Sequence, residues 1–180
     1  MIKKTFKILE TERLTLRKIE VEDAKKLYNN IFNDFEYHKF YYQLPFNTYL
    51  EYENLIKKYQ ELYLGGNLFM WAITKKSNDE VIGIVLLHTK DKLNNSCKIG
   101  FIISKRERKK GYAKEAVKEV INFGFKILNF HRIEANIYNK NLDSINLVKS
   151  VGMYYEGTKK DSYKVNDKYY DQDVYTLINE

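Results

Sequence analysis

The sequence predicts an α+β fold: a central, twisted, mixed but mostly antiparallel sheet of about seven strands, flanked by about four helices. Three observations carry this. Strand-like runs outnumber helical stripes; three of them follow one another in the first half, as antiparallel strands do; and strands alternate with helices in the second half, which suits a parallel crossover. With 180 residues, 44% of them hydrophobic, one proline and no Ser- or Gly-rich tract, the chain fits a single domain over residues 1–180 that buries a core.

In chain order, "RLTLRKI" (Arg13 to Ile19) alternates apolar and polar residues as a half-buried strand does. "VEDAKKLYNNIF" places Val21, Ala24, Leu27, Tyr28 and Ile31 on one helical face, and its acidic first turn suits the positive end of the helix dipole. The aromatic stretch from His38 to Phe46 is irregular and broken at Pro45. Asn47 or Thr48 then caps a second helix that ends at Gly65 and Gly66. "LFMWAITKK" and "EVIGIVLLHTK" read as a hairpin about "SND", and "CKIGFIIS" follows the "KLNNS" loop. From Gly111 to Leu128, small or apolar residues at 113, 116, 117, 120, 121, 124, 125 and 128 draw a stripe that a sheet must cover. "RIEANIY" is a strand, "LDSINLVKSVG" a short helix closed by Gly152, and Met153 to Ile178 two long strands about "VNDK".

Composition narrows the function classes. No run approaches the roughly 18 to 20 apolar residues of a membrane span. The opening "MIKKTFKILETERL" lacks the apolar stretch and cleavage site of a secretory signal. Cys97 is the single cysteine, which excludes an internal disulfide framework and fits the cytoplasm. His38, His88 and His131 have no partners at metal-ligand spacing, so they read as structural histidines and no metal is expected. The net charge of +7 favours acidic partners. Direct nucleic-acid binding is not expected, because Asp79, Glu80, Asp91, Glu107 and Glu115 interrupt any broad basic face.

The densest signal is "SKRERKKGYAKEA" (Ser104 to Ala116), which packs five basic side chains into seven residues between a strand and a helix. A solvated turn is one reading. An anion cradle is the other: unpaired N–H groups and the helix dipole converge there, Gly111 admits close approach, Ala113 keeps the first turn slim, and Arg108, Lys109 and Lys110 add charged donors. The Walker pattern G-x-x-x-x-G-K-[ST] and the dinucleotide pattern G-x-G-x-x-G are both absent.

The R-x-x-G-x-A run from Arg108 to Ala113 resembles the pyrophosphate-binding motif of the GNAT superfamily of acyl-CoA-dependent N-acetyltransferases. "IGFIIS" is similar to that family's fourth strand, "GYAKEAVKEVINFGF" to its pyrophosphate helix, and "HRIEANIYNKNLDSINLVKSVGM" to its fifth strand and following helix. "ETERLTLRKIEVEDA" resembles the start of the branch with the ribosomal-protein N-terminal (Rim-type) acetyltransferases. The resemblance implies one GNAT-like domain that takes acetyl-CoA as acyl donor and acetylates a primary amine by direct attack in a ternary complex.

The resemblance also implies roles. Backbone at Phe101, Ile102 and Ile103, after a bulge in that strand, would bind the pantetheine arm and the acetyl carbonyl. Arg108, Lys109, Lys110, Gly111, Tyr112 and Ala113 would hold the pyrophosphate. Asn141 and Ser144 form N-x-x-S where the family touches the cofactor near its sulfur, although each reads equally as a helix cap. Ser144 is the candidate catalytic residue, hydrogen-bonding the departing thiolate directly or through water. A tyrosine that some members place one turn later is Val148 here. Carboxylates that relatives carry before "IG" and in the closing hairpin fall at Lys98 and near Tyr163. That leaves Glu36, Glu156 and Asp161 as candidate bases and the base open. Phe35, Tyr37 and Tyr41, with Phe40, lie where the family builds its acceptor pocket. The expected partners are acetyl-CoA and an amine: a protein N-terminus first, then a polyamine or other small amine. A second copy of the chain is a further candidate, and a CoA-binding sensor without turnover is the alternative.

Overall fold

Among the described residues, eight strands form one sheet in the spatial order β1-β2-β3-β4-β5-β6-β8-β7. They are β1 (Leu9–Glu10), β2 (Leu14–Lys18), β3 (Phe69–Lys75), β4 (Val81–Asp91), β5 (Ser96–Ile103), β6 (Arg132–Tyr138), β7 (Tyr154–Val165) and β8 (Lys168–Ile178). The helices are α1 (Asp23–Leu27), α2 (Tyr49–Leu64), α3 (Tyr112–Lys126) and α4 (Leu142–Ser150). This computed structural model describes residues 6–33, 48–64, 68–165 and 167–179. Every expected strand and helix is present; the addition is β1, whose two residues are too few to show a period. A π-helical turn over Tyr28–Phe32 prolongs α1. Its wider winding carries Phe32 as well as Ile31 into the core, where the sequence stripe placed Ile31 alone.

The sheet is antiparallel throughout except between β5 and β6, which the α3 crossover joins in parallel. Both faces are covered, by different means. On one, Val117, Val120, Ile121 and Phe123 of α3 and Val148 of α4 pack with Trp71, Leu87, Ile99 and Ile133. On the other, Leu27, Tyr52 and Ile56 of α1 and α2 pack with Met70, Ala72, Ile84 and Ile102. Each of these buried aliphatic side chains contributes about 1.5–3 kcal/mol. Among the described residues, the second cluster draws on no residue of β6, β7 or β8, so that half of its face carries no helical cover.

The bulge expected in the strand before the basic loop is not there. β5 keeps an unbroken register with β4 from Gly83↔Ile103 to His88↔Lys98, and the irregularity falls between His88 and Asp91.

Candidate functional site

The sheet opens at its one parallel junction. β5 and β6 pair only over Ser96↔Arg132, Cys97↔Ile133 and Lys98↔Glu134. Beyond that point β6 follows β8 as far as Tyr138↔Gln172, β5 stays with β4, and a V-shaped gap forms between them. The Ser104 amide donates to the Ile82 carbonyl at 2.8 Å, which makes the even-numbered residues of β5 the ones bonded to β4. The amides of Phe101 and Ile103 therefore turn into the V, while that of Ile102 turns toward β4. Divergence of a neighbour, rather than a bulge, is what presents the strand edge.

The basic loop stands at the mouth of this gap. After a single 3-10 turn (Lys105–Glu107), Lys109 and Gly111 both take positive φ, 61° and 85°, and α3 begins at Tyr112 without a side-chain cap. A glycine is favoured at 111: the φ disfavours a side chain, and a Cβ would stand 3.1 Å from Arg13 Nη2. Arg13, the residue before β2, braces the turn. Its backbone N–H and Nε donate to Glu115 at 2.8 and 2.7 Å, its Nη1 donates to the Lys110 carbonyl at 3.0 Å, and its guanidinium lies 4.6 Å from the Tyr112 ring centre. Burial alone would raise the Glu115 carboxyl, but donors from Thr11 and Arg13 prevail and hold it below its ordinary range.

Not all of the basic run faces the gap. Arg108, Lys109, Gly111, Tyr112 and Ala113 line a cavity of about 560 Å³ under α3 and α4, whereas Lys110 turns its ammonium to Glu107 at 3.0 Å and does not line it. Across from the loop, Asn141 caps α4 by accepting from the Ser144 amide at 3.2 Å. That bond uses the serine backbone and not its hydroxyl, and Ser144 lines the cavity.

A second cavity, about 640 Å³, opens on the opposite face of the sheet beside α2. Phe32, Tyr52, Tyr59, Tyr138 and Tyr163 line it together with His88 and Lys98. Phe101, Ile102, Asn141 and Ser144 line both cavities, so the two meet through the V. Such a passage fits a long ligand with a polyanionic end at the loop and a neutral arm running through the sheet.

The charges beside the second cavity are side-chain pairs. Lys98 lies 4.0 Å from Glu134, and Asn136 bridges them, its amide donating to Glu134 at 2.7 Å and accepting from Lys98 at 3.2 Å. Burial, and then the Lys98 charge, push the His88 imidazole below its ordinary value.

Other expected residues lie elsewhere. Val148 is fully buried, so α4 offers no phenol at that position. Burial pushes the Cys97 thiol up to about 12, which leaves no thiolate near neutrality. Glu156 is engaged by Arg132 at 2.7 Å, and neither it nor Asp161 lines either cavity. Glu36, Phe35, Tyr37, Phe40 and Tyr41 fall outside the described residues. Among those described, no group of His, Cys, Asp or Glu could hold a metal, and no helix is long and apolar enough to cross a membrane. Sequence reasoning missed His88 and the Lys98–Asn136–Glu134 group. Their only signal was that Lys98 and Glu134 sit on strand runs, with nothing to show that the strands adjoin.

Residues 13–154 match the acetyltransferase (GNAT) domain family. An uncharacterised N-acetyltransferase of Bacillus licheniformis, p20, is 35% identical over 170 residues, spanning 94% of this chain and 95% of the relative. Two solved structures share the fold. A ribosomal-protein alanine acetyltransferase of Vibrio fischeri has a TM-score of 0.83 at 22% identity and covers 97% of each chain. A spermidine N-acetyltransferase of Vibrio cholerae, solved with CoA and spermine, has a TM-score of 0.81 at 22% identity, covering 93% of this chain and 96% of its own.

Proposed function

The chain belongs to the GNAT acetyltransferase family and is an acetyl-CoA-dependent N-acetyltransferase; on that premise we propose that its acceptor is a protein N-terminal amine, acetylated by direct attack in a ternary complex. The observation that carries this reading is the pair of cavities joined at Phe101, Ile102, Asn141 and Ser144. The donor enters from the α3–α4 face and the amine from the other, so both can be bound at once.

The donor supplies an activated acetyl group as a thioester; the chain's own residues do the rest. Amides of the loop ending at Ala113 and of the first turn of α3, with Arg108 and Lys109, receive the diphosphate. The Phe101 and Ile103 amides are aimed at the arm and at the carbonyl oxygen, where one donor is worth about 3–4 kcal/mol in other enzymes. Ser144 offers its hydroxyl to the departing sulfur, and Asn141 keeps the α4 end that carries it in place.

An α-amine, with an ordinary pKa near 8, is neutralised about 3 kcal/mol more cheaply than a lysine side chain. The acceptor cavity supports a monoamine: Lys98 lines it, and no carboxylate does among the described residues. The likeness to a spermidine N-acetyltransferase favours a polyamine as the second reading. Incubating the protein with acetyl-CoA and a pool of peptides and polyamines, followed by mass spectrometry, tests both. Acetyl on peptide α-amines is expected; acetylspermidine alone would overturn the acceptor, and no acetylated product would leave a CoA-binding sensor.

A further inference from the structure

Where β4 loses its register, between His88 and Asp91, Thr89 has a φ of 48°. A β-branched residue in the left-handed region costs about 1–3 kcal/mol, and irregularities of this kind re-aim the side chains beside them. Here the side chain concerned is His88, whose Nδ1 lies 2.8 Å from Thr89 Oγ1. Its Nε2 lies over Gly100, 3.8 Å from where a Cβ would stand. Gly100 leaves room for the ring and directly precedes Phe101, whose amide turns into the V. The cross-strand partner of His88 is Lys98, the last residue of β5 paired with β6. The imidazole thus lines the acceptor cavity at the level where the sheet opens.

We propose that His88 is the proton acceptor of the transfer, with Nδ1–H donating to Thr89 Oγ1 and the Nε2 lone pair facing the amine directly or through one water. This rests on the acetyl-transfer reading above. The nitrogen forms its bond to the carbonyl carbon and the carbon–sulfur bond breaks, its electron pair leaving on sulfur. The proton released by nitrogen passes to Nε2 and then to solvent, and the thiolate takes an equivalent proton from solvent by way of the Ser144 hydroxyl. Nothing is oxidised or reduced.

The surroundings keep the imidazole ready to accept. Lys98 stands opposite it on β5, and the other titratable side chains lining the same cavity are Tyr52 and Tyr59 of α2, Tyr138 of β6 and Tyr163 of β7. Burial first and the Lys98 cation second hold it neutral at pH 7. A weak base suffices, because nitrogen undergoing acylation is far more acidic than the free ammonium.

The test is the pH profile of kcat/KM, with acetyl-CoA and a pool of spermidine and free-N-terminus peptides, read as released thiol. As pH falls, the wild type should pass from the one-proton slope of the amine to a two-proton slope at a point below about 6.5. His88→Gln should lower kcat/KM by about 100-fold and keep only the first slope, with CoA affinity by calorimetry unchanged. Lys98→Met should move the point of steepening to higher pH, since it removes a cation; this readout also serves if His88→Gln fails to fold. No thiol from the wild type would overturn the transfer reading and this inference with it. A productive wild type beside a His88→Gln variant with full rate or an intact second slope, or a Lys98→Met profile that does not move, would overturn the inference alone.

Discussion

The cavities on the two faces of the sheet are assembled differently. Under α3 and α4 the wall is two local runs: one from Phe101 to Lys114, whose strand edge, positive-φ turn and helix N-terminus follow one another in the chain, and one from Lys140 to Ser150 at α4. Beside α2 the wall includes side chains contributed by β4, β5, β6, β7 and α2, with the Lys98 ammonium 4.0 Å from Glu134. A diphosphate is the same in every donor, and main-chain amides suffice for it. An acceptor varies, and side chains can vary with it.

Breaking the turn before α3 should have the largest effect. Gly111→Val puts a β-branched residue at a φ of 85°, with its Cβ against Arg13, and should weaken CoA binding roughly 100-fold by calorimetry. Unchanged affinity would show that the loop is not where the diphosphate sits.

Glu115→Ala comes next. It removes the acceptor of Thr11 at 2.6 Å and of Arg13, and should lower stability by about 2 kcal/mol in urea unfolding. The sign with pH follows from the lowered carboxyl: the stabilisation is present above the ordinary carboxylate range and is lost as pH falls through the folded-state value. The variant should therefore lie closer to the wild type in acid than at pH 7.

A smaller effect marks the place where the two cavities meet. Ser144→Ala should slow turnover by about 10-fold and leave CoA affinity and helix stability intact, because the cap uses the Ser144 amide. An equal loss in binding and rate would put the hydroxyl in the donor site alone.

On the acceptor side, Thr89→Gly relieves a left-handed β-branched residue and should gain up to about 1 kcal/mol in stability while losing rate. A variant that is both more stable and fully active would remove the functional reason for that strain. His88 predicts the opposite pH sign to a protonated, paired histidine. Its folded-state pKa is lowered, so stability falls as pH drops below about 6.5, and His88→Gln should abolish that decline.

Much of the α3–α4 side was legible as structure because its pieces are local. The α3 stripe, the glycine before it and the N-x-x-S cap are each contained within a few turns of chain, where 3.6-residue periodicity and capping chemistry operate. The acceptor side was not. His88 reads as one histidine in an apolar strand, and Lys98 as the loss of a carboxylate. Only the register of three strands shows Lys98 beside Glu134 and His88 beside Lys98. The bulge was expected in β5 and the irregularity stands in β4, because nothing in "LLHTKD" signals a threonine at positive φ.

From the chain alone came the elements, their order and the basic turn before α3, since each depends on the contacts of neighbours in sequence. Tertiary structure decided where β5 and β6 part, which amides face the gap and which side chains share the acceptor wall. Those depend on β6 pairing with β8 instead of following β5, a choice made between strands far apart in the chain and written in no single segment of it.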